Sequence, residues 1–164
     1  MSNEKNFTLS EVLEKFSEGP TTGVFTDGGA RPNPGPGGWG LVWVKDSEIL
    51  NQKYGSDPDT TNNRMELKAL IEALKILKDH TEEITVFTDS NLCVQTINQW
   101  AASWEKQGWR RKSGAIKNLE LVQELYSLCK SKPNVKLQWV KAHNGWLWNE
   151  YADSLASAWV REEL

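Results

Sequence analysis

Cysteine and histidine are scarce in this chain. Of 164 residues only Cys93 and Cys129 carry thiols. Both fall in helical patterns without metal-type spacing, so neither a disulfide framework nor a thiolate metal site is expected. A chain of this length favours one domain and buries a sizeable core without cross-links. The two histidines differ in context. His80 closes a helical pattern, where the dipole favours a cation, and reads as structural. His143 follows a strand pattern and precedes a glycine-containing loop. Long apolar runs are missing, which excludes a membrane-spanning helix. Residues 1–19 have no apolar stretch and carry several acids, unlike a secretory signal, so a cytoplasmic location is expected. A basic excess is missing too: the net charge is −3 and the pI about 5.5, which over the whole chain argues against nucleic-acid binding. The average hides a local bias. Residues 106–117 hold Lys106, Arg110, Arg111, Lys112 and Lys117 and no acid, and a polyanion meets the local field rather than the total.

Tryptophan is abundant, with nine copies, for which core packing is the ordinary explanation. Thr8-Leu9-Ser10-Glu11 resembles a capping box. Val12, Leu13 and Phe16 then share a helical stripe that ends at Gly19-Pro20, and this short helix either docks on the domain or frays. Strands are expected at residues 24–27, 39–44, 49–55, 83–88 and 135–140. The Gly/Pro-rich residues 28–40 read as a turn or irregular connection, with a further turn near 45–47. Helices are expected at 62–78, where Leu67, Leu70, Ile71, Leu74 and Leu77 repeat at helical spacing, and at 91–100, 117–130 and 148–162. Ser90 is a candidate cap for the second of these. Three antiparallel strands followed by alternating helices and strands imply an α/β fold: a mixed sheet with helices on both faces. Its crossovers are right-handed.

Within this pattern Val-Phe-Thr-Asp occurs twice, ending at Asp27 and at Asp89. If the two strands are parallel neighbours in one register, both carboxylates stand at the same height and raise each other's pKa. A cation between them removes that penalty. Glu66 lies on a stripe with Leu70, Ala73 and Leu77, and an unpaired carboxylate there is costly to bury. The alternative is an acid at the stripe's exposed end, favoured by the dipole. Asp153, beside Leu155 and Ala156, could equally sit on a solvated helix face.

Context sharpens these readings. Asp27 precedes Gly-Gly-Ala-Arg-Pro-Asn-Pro-Gly-Pro-Gly-Gly. Glu66 closes Thr-Thr-Asn-Asn-Arg-Met-Glu, Asp89 lies in Thr-Asp-Ser, and Asp153 closes His143-Asn-Gly-x-x-x-Asn149-Glu150-x-x-Asp. Four such motifs in this order, with a tryptophan-rich basic segment between the third and fourth, resemble the bacterial type 1 ribonuclease H family from about residue 23 to 159. The resemblance implies a ribonuclease H-like five-stranded sheet in the order 3-2-1-4-5, with a catalytic domain over residues 23–164 and an N-terminal extension over 1–22 that is too short for the hybrid-binding domain of some relatives. It implies hydrolysis of the RNA strand of an RNA–DNA hybrid, leaving 5′-phosphate and 3′-hydroxyl ends. Asp27, Glu66, Asp89 and Asp153 would hold two Mg²⁺ ions, with Mn²⁺ as a substitute, since oxygen donors suit both. One ion would activate a water and the other stabilise the leaving 3′ oxygen. His143 would carry protons or aid product release.

Asn33, Asn62, Asn63 and Asn91 would contact 2′-hydroxyls and minor-groove edges, with turn or cap chemistry as the structural alternative. Thr61 would hold a phosphate or cap a helix. Trp100, Trp104, Lys106, Trp109, Arg110 and Arg111 resemble the family's basic protrusion, which packs rings on DNA sugars and cations on phosphates. For Trp100 and Trp104 the alternative is helix packing. The implied species is a monomer with a hybrid as substrate and no membrane partner. Some positions depart from the family pattern: Asn91 replaces a common Gln, Ala142 a common Gly, Glu105 interrupts the basic segment, and Trp146 and Trp148 make the loop after His143 unusually aromatic. Rival readings of the strand-end acids are a phosphoryl-accepting receiver or aspartyl-phosphate hydrolase, a duplex-binding module without catalysis, and a DNA-cutting or strand-transfer enzyme on the same fold.

Overall fold

In this computed structural model, which describes residues 6–111, 113–161 and 163–164, a short helix α1 (Leu9–Lys15) precedes three antiparallel strands, β1 (Gly23–Ala30), β2 (Gly35–Lys45) and β3 (Glu48–Thr60). Helix α2 (Asn62–Ile76) leads to β4 (Ile84–Thr88). Helix α3 (Asn91–Gln95), a π turn (Thr96–Trp100) and α4 (Ala101–Lys106) follow as one helical run. Helix α5 (Leu119–Ser131), β5 (Val135–Trp139), α6 (Leu147–Ala156) and a 3₁₀ turn (Ala158–Val160) complete the fold. The strand order is β3-β2-β1-β4-β5. β1–β2 and β2–β3 are antiparallel, β1–β4 and β4–β5 parallel.

Strand alternation divides the apolar residues between two faces. Val24, Leu41 and Val86 join Leu67, Leu70, Ile71 and Leu74 of α2 and Leu125 of α5 in one core. Phe25, Val42 and Phe87 join Tyr151, Ala152 and Leu155 of α6 in the other. The doubled motif explains the junction of the sheet's two halves. Val24 pairs with Val86 and Phe25 with Phe87, and the two phenyl rings stack at 4.7 Å. Asp27 and Asp89, each two residues further on, therefore leave their strands at one level and on one face.

Several expectations are corrected. Residues 28–40 are mostly strand: β1 runs on to Ala30 and β2 begins at Gly35, with Asp27 through Ala30 paired to Gly40 through Gly37. Their glycines permit close approach of other elements rather than irregularity. A Cβ on Gly28 would lie 2.4 Å from the Met65 carbonyl carbon and 2.6 Å from Glu66 N, so α2 crosses β1 with no room for a side chain. β3 continues to Thr60 despite Pro58, which an edge strand tolerates. The turn between β2 and β3 is two residues, Asp46 and Ser47, both at positive φ, the mirror-image geometry that suits hairpin twist. The helix expected at 91–100 instead continues through the π turn to Lys106. The helix expected at 117–130 starts at Leu119, where Asn118 adopts a left-handed conformation. The last helix closes at Ala156, and Glu162 of the expected span lies outside the described residues.

The N-terminal helix is docked. Thr8 and Glu11 form the capping box, and Val12, 1% exposed, joins the α6-side core, a burial that stabilises by roughly 2 kcal/mol. Leu9 and Phe16 pack beside it, whereas Leu13, placed on the same stripe from sequence, faces solvent at 48% exposure.

Candidate active site

The middle of β1, the residue after β4, the loop after β5 and one face of α6 enclose a small cavity. Asp27, Asp89, His143, Glu150 and Asp153 line it. Each side chain is placed by its element. Asp27 lies within β1 and Asp89 directly follows β4, brought level by the parallel register of the two strands, and Asp153 stands on α6 between the buried Ala152 and Ser154. His143 sits at φ +50° in the loop between β5 and α6. Ligand atoms of His143, Glu150 and Asp153 lie within 4.8 Å of one another. Glu66 stands beside Asp89, at the start of α2, outside the lining of that cavity.

The electrostatics are those of crowded carboxylates. Burial, then the charges of Asp153 and Asp89, push the Asp27 carboxyl well above its ordinary range, against one hydrogen bond that its Oδ1 accepts from Gly28 N at 2.9 Å. Burial and Asp153 raise Asp89, with His143 opposing. Burial and Asp89 push Glu66 up to about 7, with a Ser90 hydrogen bond opposing. Burial and Asp153 also raise Glu150. Carboxyls raised in this way by burial and by like-charged neighbours mark a site that a divalent cation would relax. The donor set is oxygen-rich and thiolate-free, which fits Mg²⁺ or Mn²⁺. Cys93, whose thiol burial pushes up to about 12, is protonated and offers no thiolate.

The amide-bearing residues gather where the β1–β2 turn meets α2. Thr61 caps α2, its hydroxyl accepting from Arg64 N at 3.1 Å. Asn62 Oδ1 accepts from Ala30 N at 2.7 Å, and Asn62 N donates to Asn33 Oδ1 at 3.1 Å. The Cys93 thiol donates to Asn63 Oδ1 at 3.6 Å. The turn and cap roles weighed from sequence are therefore in place at Thr61, Asn62 and Asn33. Asn91 is exposed at the start of α3, one residue beyond Ser90, which caps that helix through Cys93 N.

The aromatic basic segment divides. Trp100, 37% exposed, tilts against Trp104 at 6.0 Å, and both line a groove of about 150 Å³ with Leu92, Arg111 and Lys117. Trp104 also packs on the α2-side core. Trp109 turns inward, packing on the same core and edge-on against Tyr126 at 5.9 Å. Lys106 and Arg110 are exposed. Arg111 donates to Gly114 O and Ala115 O at 3.2 and 3.0 Å, bracing its own loop. Lys112 lies outside the described residues. Glu105, the acid that interrupts this basic run, is paired with Lys130 at 3.0 Å.

Residues 20–161 match the family model described as RNase H. The chain belongs to the RNase H family. It is 47% identical over 133 residues, 81% of this chain and 86% of the relative, to Ribonuclease H of Campylobacter jejuni subsp. jejuni serotype O:23/36 (strain 81-176). Among solved structures it resembles LC9-RNase H1, described as a type 1 RNase H with the type 2 active-site motif. That match has 35% identity and a TM-score of 0.67, and covers 87% of this chain and 74% of the other. LC11-RNase H1, solved in complex with an RNA/DNA hybrid, is 25% identical at a TM-score of 0.61, covering 84% of this chain and 98% of the other. An RNase H cleaves the RNA strand of an RNA–DNA hybrid and depends on a divalent metal. In this RNase H, Asn149 and Glu150 of the last motif also line the cavity, a placement that the motif alone does not assign. The available signal was spacing: Glu150 precedes Asp153 by three residues on a helix and therefore shares its face.

Proposed function

We propose that Asp27, Glu66, Asp89 and Asp153 hold two divalent ions, Mg²⁺ or Mn²⁺, and that the chain uses them to hydrolyse the RNA strand of an RNA–DNA hybrid, leaving 5′-phosphate and 3′-hydroxyl ends. The observation that carries this reading is the crowding of Asp27, Asp89 and Asp153 at one end of the sheet, where burial and then the charges of Asp153 and Asp89 raise the Asp27 carboxyl well above its ordinary range. When bound, the ions supply a water acidic enough to attack phosphorus at neutral pH and neutralise charge on the departing 3′ oxygen. Asp27 and Asp89, fixed by strand register, set the position of the scissile phosphate along the sheet edge. Asp153, on a helix locked into the core, sets it from the opposite side. His143, exposed on its loop, moves a proton between solvent and the leaving oxygen and helps the product depart.

The substrate lies across the amide cluster and the tryptophan groove. Asn33, Asn62 and Asn63 use their amide oxygens inside the protein, which leaves NH₂ donors to meet 2′-hydroxyls and base edges. Thr61 and Asn91 flank them and complete the contact to the backbone. Trp100 and Trp104 face deoxyribose in the groove, and Lys106 and Arg110 neutralise phosphates of the DNA strand, while Arg111 braces its loop and adds only its charge to the local field. Trp109 acts indirectly, by fixing the segment on Tyr126. Residues 23–164 form the catalytic unit and residues 1–22 an accessory arm. Its likeness to bacterial RNase H proteins supports a place in the cytoplasm, where we take it to work as a monomer. Among the described residues no helix is long and apolar enough to cross a membrane.

Incubation with labelled RNA–DNA, RNA–RNA and DNA–DNA duplexes, in Mg²⁺, Mn²⁺ or EDTA, tests this. Metal-dependent cutting of RNA in the hybrid alone is expected. Binding without cleavage in Mg²⁺ would demote the protein to a duplex-binding module, and equal cutting of DNA–DNA would make it a DNA nuclease.

A further inference from the structure

The loop that carries His143 is anchored at both ends, and one anchor comes from outside the portion of the chain that the family model matches. At its start, Val140 N donates to Thr88 O at 2.8 Å, tying the loop to β4. At its end α6 begins without a side-chain cap: Trp146 occupies the cap position and makes no capping hydrogen bond. The orphan N–H of Leu147, the first residue of α6, donates instead to Glu18 O at 2.9 Å. A helix start left open in this way needs an acceptor from elsewhere, and the N-terminal arm provides it.

The same contact is shaped on both sides. Glu18 and Trp146 form a parallel bridge. Gly19 lies flat against the Trp146 side chain at φ +96°, where a Cβ would fall 2.5 Å from Trp146 Cγ. Only glycine fits both the space and the backbone conformation. The Trp146 ring meets Phe87 edge-on at 6.2 Å, so it is wedged between the arm and β4, the strand that leads into Asp89. The arm is fixed in turn by Val12 in the α6-side core and by Phe7 O, which accepts from Ser154 Oγ at 2.6 Å. Between the two anchors His143 and Gly145 both adopt positive φ. For histidine this is an uncommon conformation that persists only where the surroundings hold it.

We infer that residues 6–19 form a built-in brace, acting through Gly19 and Trp146, that holds the His143 loop in its working position and so sets the turnover rate. Trp146 and Gly19 are positioning residues; neither lines the carboxylate cavity. The inference rests on the role given above to His143. The brace lies on the α6 side of the sheet, away from the tryptophan groove, so its effect falls on kcat and not on hybrid affinity. Trp146, which made the loop look unusually aromatic in sequence, is the piece of the loop that the arm grips.

The test uses the full chain with a labelled RNA–DNA hybrid, in Mg²⁺, at temperatures well below each variant's Tm. Gly19→Val should lower kcat on the order of tenfold, leave KM within about twofold, and speed hydrogen exchange at the Leu147 amide. Trp146→Ala should do the same without a clash, and Trp146→Phe should restore most of the rate by keeping a ring on Phe87. In a His143→Ala background, Gly19→Val should cost nothing further, since both act through one group. Full kcat in Gly19→Val and Trp146→Ala, or multiplicative losses in the double variant, would overturn the brace. If Gly19→Val does not fold, Trp146→Ala and its Phe partner decide alone. A His143→Ala variant with unchanged turnover would instead remove the role of His143, a separate failure.

Discussion

Replacing Glu66 with glutamine in the metal-free protein gives a stability change whose sign reverses common expectation. Burial and the charge of Asp89 push the Glu66 carboxyl from 4.5 up to about 7. In a folded state that holds its proton more tightly than the unfolded chain, stability is complete below the unfolded pKa. It is lost as pH rises toward the folded one, because the unfolded state releases the proton first. The span from 4.5 to about 7 corresponds to roughly 3 kcal/mol. Glu66 is half-buried, and solvent screening brings the expected penalty to about 1–2 kcal/mol. Glutamine mimics the neutral acid and can still meet Ser90. In EDTA, wild type and Glu66→Gln should therefore melt together near pH 4. By pH 8 the variant should melt about 3–6 °C higher, as expected for a domain of this size. Mg²⁺ at pH 8 should then raise the wild-type Tm more than the variant's, because the cation relieves the same crowding. Thermal melts followed by circular dichroism across pH 4–8 measure both. A difference that does not change with pH, or a variant that is less stable at pH 8, would refute the claim that Glu66 is destabilised by Asp89 and burial.

Asp27→Asn should abolish cleavage while hybrid affinity, measured by fluorescence anisotropy in Ca²⁺, changes little; retained turnover would remove Asp27 from the site. His143→Ala should slow single-turnover cleavage on the order of a hundredfold without stopping it. Arg110→Ala should weaken hybrid binding and reduce the slope of log K against log salt by about 0.9, as for one lost phosphate contact; an unchanged slope would show that Arg110 touches none. Gly28→Ala should cost about 1–3 kcal/mol by overpacking against Met65 and Glu66, and should lower kcat further by moving Glu66 away from Asp89. A stability loss with full activity would show that the β1–α2 contact does not position the carboxylates.

Two kinds of information divided the problem. The repeated Val-Phe-Thr-Asp was readable as a pair of strands because strand periodicity is local, although β1 runs on past Asp27 to Ala30, and the parallel register of Val24 with Val86 and Phe25 with Phe87 made the two aspartates neighbours. The leucine stripe of α2 was readable for the same reason. The glycines at 28–40 misled, because glycine serves turns and close packing alike. Only the presence of α2 over Gly28, and of α6 over Gly40 with a Cβ-equivalent distance of 2.6 Å to Leu155 Cβ, shows which use applies. Helix ends shifted at Asn118 and Ala156, where backbone conformation, and not apolar spacing, closes the element.

The order and spacing of motifs by itself determined the family and the sheet and singled out the four acids proposed to carry the chemistry, since each depends on short-range pattern or strand register. What tertiary structure decided were matters of distance between segments remote in the chain. Glu150 joins His143 and Asp153 in one cavity, Trp109 turns inward to Tyr126 while Trp100 stays exposed, and Arg111 spends its guanidinium on its own loop. The N-terminal arm reaches the start of α6. No local propensity encodes that last contact, because the hydrogen bond from Leu147 to Glu18 joins backbone groups that every residue but proline possesses; it exists only once two surfaces have packed.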